Sequence, residues 1–290
     1  MAARHARISV AGGSPELLER AAAEAFEAGA LGIEEQAGPP PSLWVYALAG
    51  DAARVRAALL PLPRLVLGEP EALAERVWSE AWKEGLEPIV ISPRLLIRPS
   101  FREAPAGFAG FELVIDPGQA FGTGGHASTR LALDAIAALP AQSLRGARVL
   151  DVGCGSGVLA LAALALGAAH ALGCDLDPLA TAAAREAAAA NGLAARFAAV
   201  TASPDALGPR AERAFELVVA NLLRSELEPL LPALARALAP GGRLVLSGLL
   251  ASEREPVTGA LAALGLGAPE PRGLTDATGD AWLALVARRL

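Results

Sequence analysis

Two carboxylates and three glycines between positions 151 and 175 carry the strongest chemical signal in this 290-residue chain. Residues 149–157 read VLDVGCGSG: an apolar strand at 148–152 bearing Asp151, then Gly153, Gly155 and Gly157 ahead of a helix predicted over Val158 to Leu166. Glycines in that turn let the main chain bend sharply and let a ligand approach where a Cβ would collide. The spacing differs from the G-x-G-x-x-G of a dinucleotide site, where an apolar residue stands in the place of Asp151. A second short strand, Ala171 to Cys174, ends in Asp175, Leu176, Asp177 and Pro178. An acid about 20 residues after a glycine loop, at the carboxyl end of the neighbouring strand, accepts hydrogen bonds from both hydroxyls of an adenosine ribose. Asp175 suits that task, whereas Asp177, just before Pro178, suits a helix N-cap. The competing explanation makes both aspartates solvated turn residues.

A second set of candidates lies upstream, in the loop from Asp116 to Thr129, which mixes four glycines with Phe121, Thr123, His126, Ser128 and Thr129. Phe121 offers an aromatic face to a ligand. Thr129, at the start of a predicted helix, either bonds a ligand carboxylate or caps its own helix, and Thr123 has the same two options. His126 either handles a proton or makes a structural hydrogen bond. Farther on, Asn221 closes the apolar strand Glu216 to Ala220, at the end of a strand where open α/β sheets bind ligands. A turn-forming asparagine bonded to its own backbone is the alternative.

These residues need a scaffold, and the rest of the chain supplies the pattern of one. Hydrophobic residues make up 53% of the sequence, enough for a sizeable core, and the net charge of −6 argues against a nucleic-acid surface. The two cysteines, Cys154 and Cys174, have no metal-ligand or disulfide spacing, so no metal is expected and a reducing compartment is. No signal-like segment opens the chain, and the uncharged run from Val158 to Cys174 is broken by Gly167 and His170, so no membrane span is expected.

The first part of the chain alternates β-α-β-β-α-β: strand Ala6 to Val10, helix Pro15 to Ala28, strands Leu31 to Glu35 and Leu43 to Leu48, helix Asp51 to Leu60, strand Arg64 to Leu67. A helix predicted over Glu69 to Gly85 links it to the remainder. Short strands follow at Ile89 to Ile91, Leu95 to Ile97 and Glu112 to Ile115, then a helix at Thr129 to Leu139. Past the glycine loop come strands Ala195 to Val200 and Glu216 to Asn221, helix Ser225 to Leu238, strand Arg243 to Gly248, helix Ser252 to Leu264, and a closing pair near Glu270 to Leu274 and Ala281 to Ala287. The expected fold class is α/β: a doubly wound, mostly parallel seven-stranded Rossmann-like sheet preceded by a small ferredoxin-like α+β domain. The boundaries predicted are 1–68 for the small domain, 69–87 for the linker helix and 88–290 for the larger domain.

The pattern D-x-G-x-G-x-G resembles the first motif of class I methyltransferases, and the chain as a whole resembles the ribosomal protein L11 methyltransferase family, PrmA. Four blocks carry the likeness: AWKEGLEPIVISPRLLIRPSF, the loop DPGQAFGTGGHASTRLAL, the cradle VLDVGCGSGVLALAALALGA with GCDLDPLATAAAREAAAANG, and VVANLL with LAPGGRLVLSGLL. The resemblance implies S-adenosylmethionine as methyl donor, S-adenosylhomocysteine as product, and cofactor binding at Thr129, Gly153, Asp175 and Asn221. Asp151, Gly155, Gly157, Phe121 and Thr123 join that list from the reading of the residues, and Asn221 and His126 are the catalytic candidates. A cationic sulfonium without pyrophosphate gives the carboxylate beside the glycine loop an electrostatic purpose. The resemblance further implies methylation of lysine side chains and the N-terminal amine of ribosomal protein L11, with the small N-terminal domain recognising that protein. A cytoplasmic monomer is expected. The alternative keeps the donor and changes the acceptor, to another protein amine or a small molecule.

Overall fold

The computed structural model describes residues 5–12, 15–36, 42–73, 86–116, 125–276 and 279–290. The chain divides into two compact units, Met1–Leu86 and Glu87–Leu290. In the first, β1 (His5–Ala11), α1 (Pro15–Glu27), β2 (Gly32–Gln36), β3 (Ser42–Leu48), α2 (Ala52–Leu59) and β4 (Val66–Leu67) follow the predicted order, with a further strand, β5 (Glu71–Leu73). The antiparallel sheet runs β2-β3-β1-β4, and β5 also pairs with β1. Period-two burial explains the packing: Ile8, Val10, Val45 and Ala47 face inward against Ala21 and Ala25 of α1 and Val55 and Leu59 of α2. The strands β4 and β5 form one interrupted edge. Val10 pairs with Leu67 but Arg7 pairs with Glu71, so the edge carries one extra residue, around Pro70, where a missing N–H is tolerated.

That edge corrects part of the predicted linker helix. Residues 71–73 are strand, because their backbone groups pair with β1 and Arg7 Nε donates to the Glu71 carboxylate at 3.0 Å. Residues 74–85 of that prediction lie outside the described residues.

The second unit opens with a three-stranded sheet of β6 (Ile89–Ser92), β7 (Leu95–Arg98) and β8 (Phe111–Val114). It then builds a larger one from β9 (Arg148–Val152), β10 (His170–Asp175), β11 (Phe197–Thr201), β12 (Phe215–Asn221), β13 (Leu238–Leu250), β14 (Glu270–Thr275) and β15 (Ala281–Arg288). The order is β11-β10-β9-β12-β13-β15-β14. Five strands are parallel, and β15 and β14 close the sheet antiparallel. Both faces are covered. Val149, Leu217 and Val219 belong to one apolar cluster and Leu150, Val218 and Ala220 to the other, so successive residues feed opposite cores.

The helices are α3 (Ala127–Ala137), α4 (Ala141–Leu144), α5 (Val158–Ala165), α6 (Pro178–Ala190), α7 (Arg224–Leu227), α8 (Leu231–Ala237) and α9 (Arg254–Ala263). The single helix predicted over Ser225 to Leu238 is two, separated by a 3₁₀ turn at Glu228–Leu230. Pro229 and Pro232 each remove an N–H from the run, which segments it. Strand β13 starts earlier than predicted, and its register with β12 shifts between Phe215 and Leu217, where Gly241 adopts φ +73°. From β9 the chain steps outward through β10 to β11 and then returns to the other side of β9 with β12. This reversal opens a crevice at the carboxyl ends of β9 and β12.

Candidate functional site

A cleft of about 910 Å³ occupies that crevice, and every described residue lining it belongs to the second unit. Its lining crosses the sheet strand by strand: Ala202 and Ser203 after β11, Asp175 to Asp177 after β10, Gly153 to Gly155 after β9, Asn221 to Leu223 after β12, and Gly248 in β13. Neighbouring strands lie about 4.8 Å apart, so four spacings give a trough about 19 Å long, room for two reactants end to end. His126, Ser128 and Thr129 from α3 and Trp282 from β15 close the β13 end.

The glycine loop is shaped by close approach. Gly153 has φ +67° and donates its N–H to Cys174 O at 2.9 Å; a Cβ there would meet the Leu222 side chain at 2.5 Å. Leu222 is hemmed from its other side by Gly248 (φ +82°), whose missing Cβ would fall 2.4 Å from Leu222 O. Gly155 (φ +52°) donates its N–H to Asp175 Oδ2 at 2.9 Å. The other oxygen of Asp175 accepts from Asp177 N at 3.0 Å. A carboxylate oxygen offers two lone pairs, so Asp175 keeps acceptor capacity for ligand hydroxyls. Asp177 Oδ1 accepts from Leu179 N at 2.8 Å, with Pro178 in the first turn, and caps α6.

Two candidates stand behind the cleft and not in its lining. Asp151 is fully buried, and its Oδ2 accepts from Ala160 N at 3.0 Å, tying β9 to the first turn of α5. Its Oδ1 has no partner among the described residues. Burial pushes the carboxyl up to about 7; the Ala160 N–H opposes the rise and the charge of Asp175 adds to it. Asp151 lies outside the described lining of the cleft and supports the loop from below. Gly157 is the left-handed N-cap of α5 at φ +77°, and a Cβ there would press on Ala184 at 3.1 Å. Its task is to let α5 start and pack against α6.

At the opposite wall the first turn of α3 is fastened to the sheet twice. Asn221 Nδ2 donates to Thr129 Oγ1 at 3.2 Å, and Ser247 Oγ donates to Ser128 O at 2.8 Å. Asn221, the last residue of β12, and Ser247 of β13 are register partners, so adjacent strands supply adjacent anchors. Thr129 is 1% exposed and is not the cap of its helix. That position belongs to His126, whose Nδ1 accepts from Ser128 N at 3.3 Å and lies 2.8 Å from Ser128 Oγ. The imidazole also packs edge-on against Trp282, ring centroids 4.7 Å apart. With Nδ2 turned to Thr129, Asn221 Oδ1 is buried and has no hydrogen-bond partner among the described residues, in a residue that lines the cleft.

Phe121 and Thr123 lie outside the described residues. Cys154 and Cys174 both line the cleft, but burial raises both thiols, Cys174 to about 12, so they remain protonated and inert. Sequence reasoning missed Ser247, Trp282 and Glu226. Ser247 carried a signal, a lone hydroxyl in the apolar run LVLSGLL; Trp282, brought in from the closing hairpin, carried none.

The family profile described as ribosomal protein L11 methyltransferase (PrmA) matches residues 57–289. A ribosomal protein L11 methyltransferase of Syntrophotalea carbinolica is 41% identical over 237 residues, covering 80% of this chain and 76% of its own. The protein of the same name from Deinococcus radiodurans is 39% identical over 268 residues, 91% of this chain and 92% of its own. Among solved structures, the ribosomal protein L11 methylase of Lactobacillus delbrueckii subsp. bulgaricus is similar at TM-score 0.60 and 31% identity, covering 70% of this chain and 98% of that one.

Proposed function

The chain belongs to the ribosomal protein L11 methyltransferase family, and from that premise we propose that it transfers methyl groups from S-adenosylmethionine to lysine side chains and the N-terminal amine of ribosomal protein L11, releasing S-adenosylhomocysteine. One observation carries the reading: the described lining of the cleft contains Asp175, Asp177 and Glu226 and no arginine or lysine. A trough lined this way favours cations, and both reactants carry one, a sulfonium and an ammonium.

The residues present fit the donor. Asp175 has acceptor capacity left for ribose hydroxyls, Gly153 and Gly155 open the backbone beside it, and Asn221 Oδ1, without a partner among the described residues, can accept from a bound reactant. Thr129 holds the Asn221 amide, and Phe121 and Thr123, outside the described residues, are assigned to the donor from the sequence alone. When bound, S-adenosylmethionine supplies an electrophilic methyl group. The protein's share is to position the amine, keep water out and let the ammonium lose its proton. For a lysine of pKa about 10.4 that loss costs roughly 4.6 kcal/mol near pH 7, against about 1 kcal/mol for an α-amine. The apolar walls, Leu222, Leu223 and Trp282 among them, offset part of that cost by making the charged form less stable. Alignment supplies the rest.

Recognition of the protein substrate is assigned to residues 1–68. This region has its own core, and the sheet face turned away from the helices presents Arg7, with its guanidinium 3.9 Å over the Trp44 ring, beside Tyr46, which bonds Glu34. No helix among the described residues is long and apolar enough to cross a membrane. A chain acting on a ribosomal protein as a monomer in the cytoplasm is consistent with that.

The decisive experiment incubates the full chain with methyl-labelled S-adenosylmethionine and purified ribosomal proteins. Label in L11 amines is expected. Donor binding without label in L11 would leave the methyltransferase and overturn its substrate.

A further inference from the structure

Of the three carboxylates lining the cleft, Asp175 and Asp177 lie on the β10 side of the glycine loop. The third, Glu226, lies on the other side, on α7, five residues after Asn221. On the reading proposed above, on which this inference rests, ribose occupies the Asp175 side and leaves the Asn221 side to the acceptor. We propose that Glu226 sets specificity for that acceptor, holding the substrate's lysine ammonium at the Asn221 end of the cleft.

The surroundings of Glu226 leave its charge available. The side chain is exposed, and Oε2 accepts a long hydrogen bond, 3.4 Å, from Leu223 N. Arg224, the nearest arginine along the chain, is engaged elsewhere, with Nε 2.6 Å from Glu228 Oε1. The other ionisable groups in the described lining are His126, on the wall formed by α3, the buried thiols Cys154 and Cys174, and Asp175 and Asp177 beyond the glycine loop. Asn221 Oδ1, buried without a partner among the described residues, is a second acceptor on the same side, suited to an amine N–H once the charge has been drawn in. The carboxylate has two opposing effects. It favours capture of the ammonium, and it makes that ammonium hold its proton more tightly, so it lowers KM while moving the rise of kcat to higher pH.

Glu226→Gln separates this role from helix capping, because glutamine retains the oxygen that accepts from Leu223 N and loses only the charge. The expected result is a KM for L11 raised about tenfold near neutral pH, a weaker dependence of KM on salt, and a kcat–pH profile displaced to lower pH. Donor affinity by calorimetry should stay at the wild-type value. An unchanged KM and pH profile, or a loss confined to donor affinity, would overturn the assignment. The wild-type chain is the control for the parent reading. If it neither binds donor nor labels L11, both fall; if it does both and Glu226→Gln matches it, this inference alone falls.

Discussion

His126 caps α3 through Nδ1, which lies 3.3 Å from Ser128 N and 2.8 Å from Ser128 Oγ. Asparagine is a better N-cap than histidine and has no proton to exchange. His126→Asn should therefore retain stability and turnover, whereas His126→Ala should lose about 1 kcal/mol in denaturant unfolding; a large drop in turnover for the asparagine variant would restore a proton-handling role. Asp151 gives a prediction of the opposite kind, set by burial. Its folded pKa stands near 7, above its ordinary 3.8, so between those values the folded chain holds a proton that the unfolded chain has released. This group's contribution makes stability fall as pH rises across that window, by up to roughly 4 kcal/mol. Asp151→Asn should flatten the slope in unfolding curves taken from pH 4 to 7, and an unaltered slope would show that Asp151 ionises normally.

The element that organises the acceptor wall is α3, and its placement depends on Ser247. Ser247→Ala leaves the Ser128 carbonyl without its donor and should cost about 1 to 3 kcal/mol. It should also lower kcat more than it weakens donor binding, because Thr129 and with it the Asn221 amide lose their reference point. Equal loss of stability with unchanged kcat would reduce Ser247 to packing. Local chemistry made much of this architecture legible in advance: the Asp177 cap with Pro178, the glycine turn and the alternation of strand and helix all depend on neighbours a few residues away. Ser247 reaches a partner 119 positions distant, so its lone hydroxyl in an apolar run could mark the residue but not the bond it makes. The same limit hid the position of Asp151. Its type and spacing identified the loop, but only the pleat of β9, which sends residues 149 and 151 to one face, puts its carboxylate beneath the loop instead of within the cleft. The edge formed by β5 escaped notice because Glu71 to Leu73 reads as helix until β1 offers it a ladder.

Across the whole molecule, chemistry and recognition are assigned to different units. All described lining residues of the cleft lie within Glu87–Leu290. A chain lacking the first 86 residues should bind S-adenosylmethionine with the affinity of the full protein and lose methylation of L11, readable by calorimetry and by label transfer. Retained L11 activity would move recognition into the catalytic unit. Within that unit, the wedging of Leu222 between Gly153 and Gly248 governs how the enzyme can be redesigned. Bulkier donor analogues, carrying alkyl groups larger than methyl, are best accommodated by trimming Leu223, which stands 58% exposed on the Asn221 side of the cleft. The two glycines are closed to engineering: both hold a left-handed φ, and a Cβ at Gly248 would lie 2.4 Å from Leu222 O and force the backbone next to Asn221 to move.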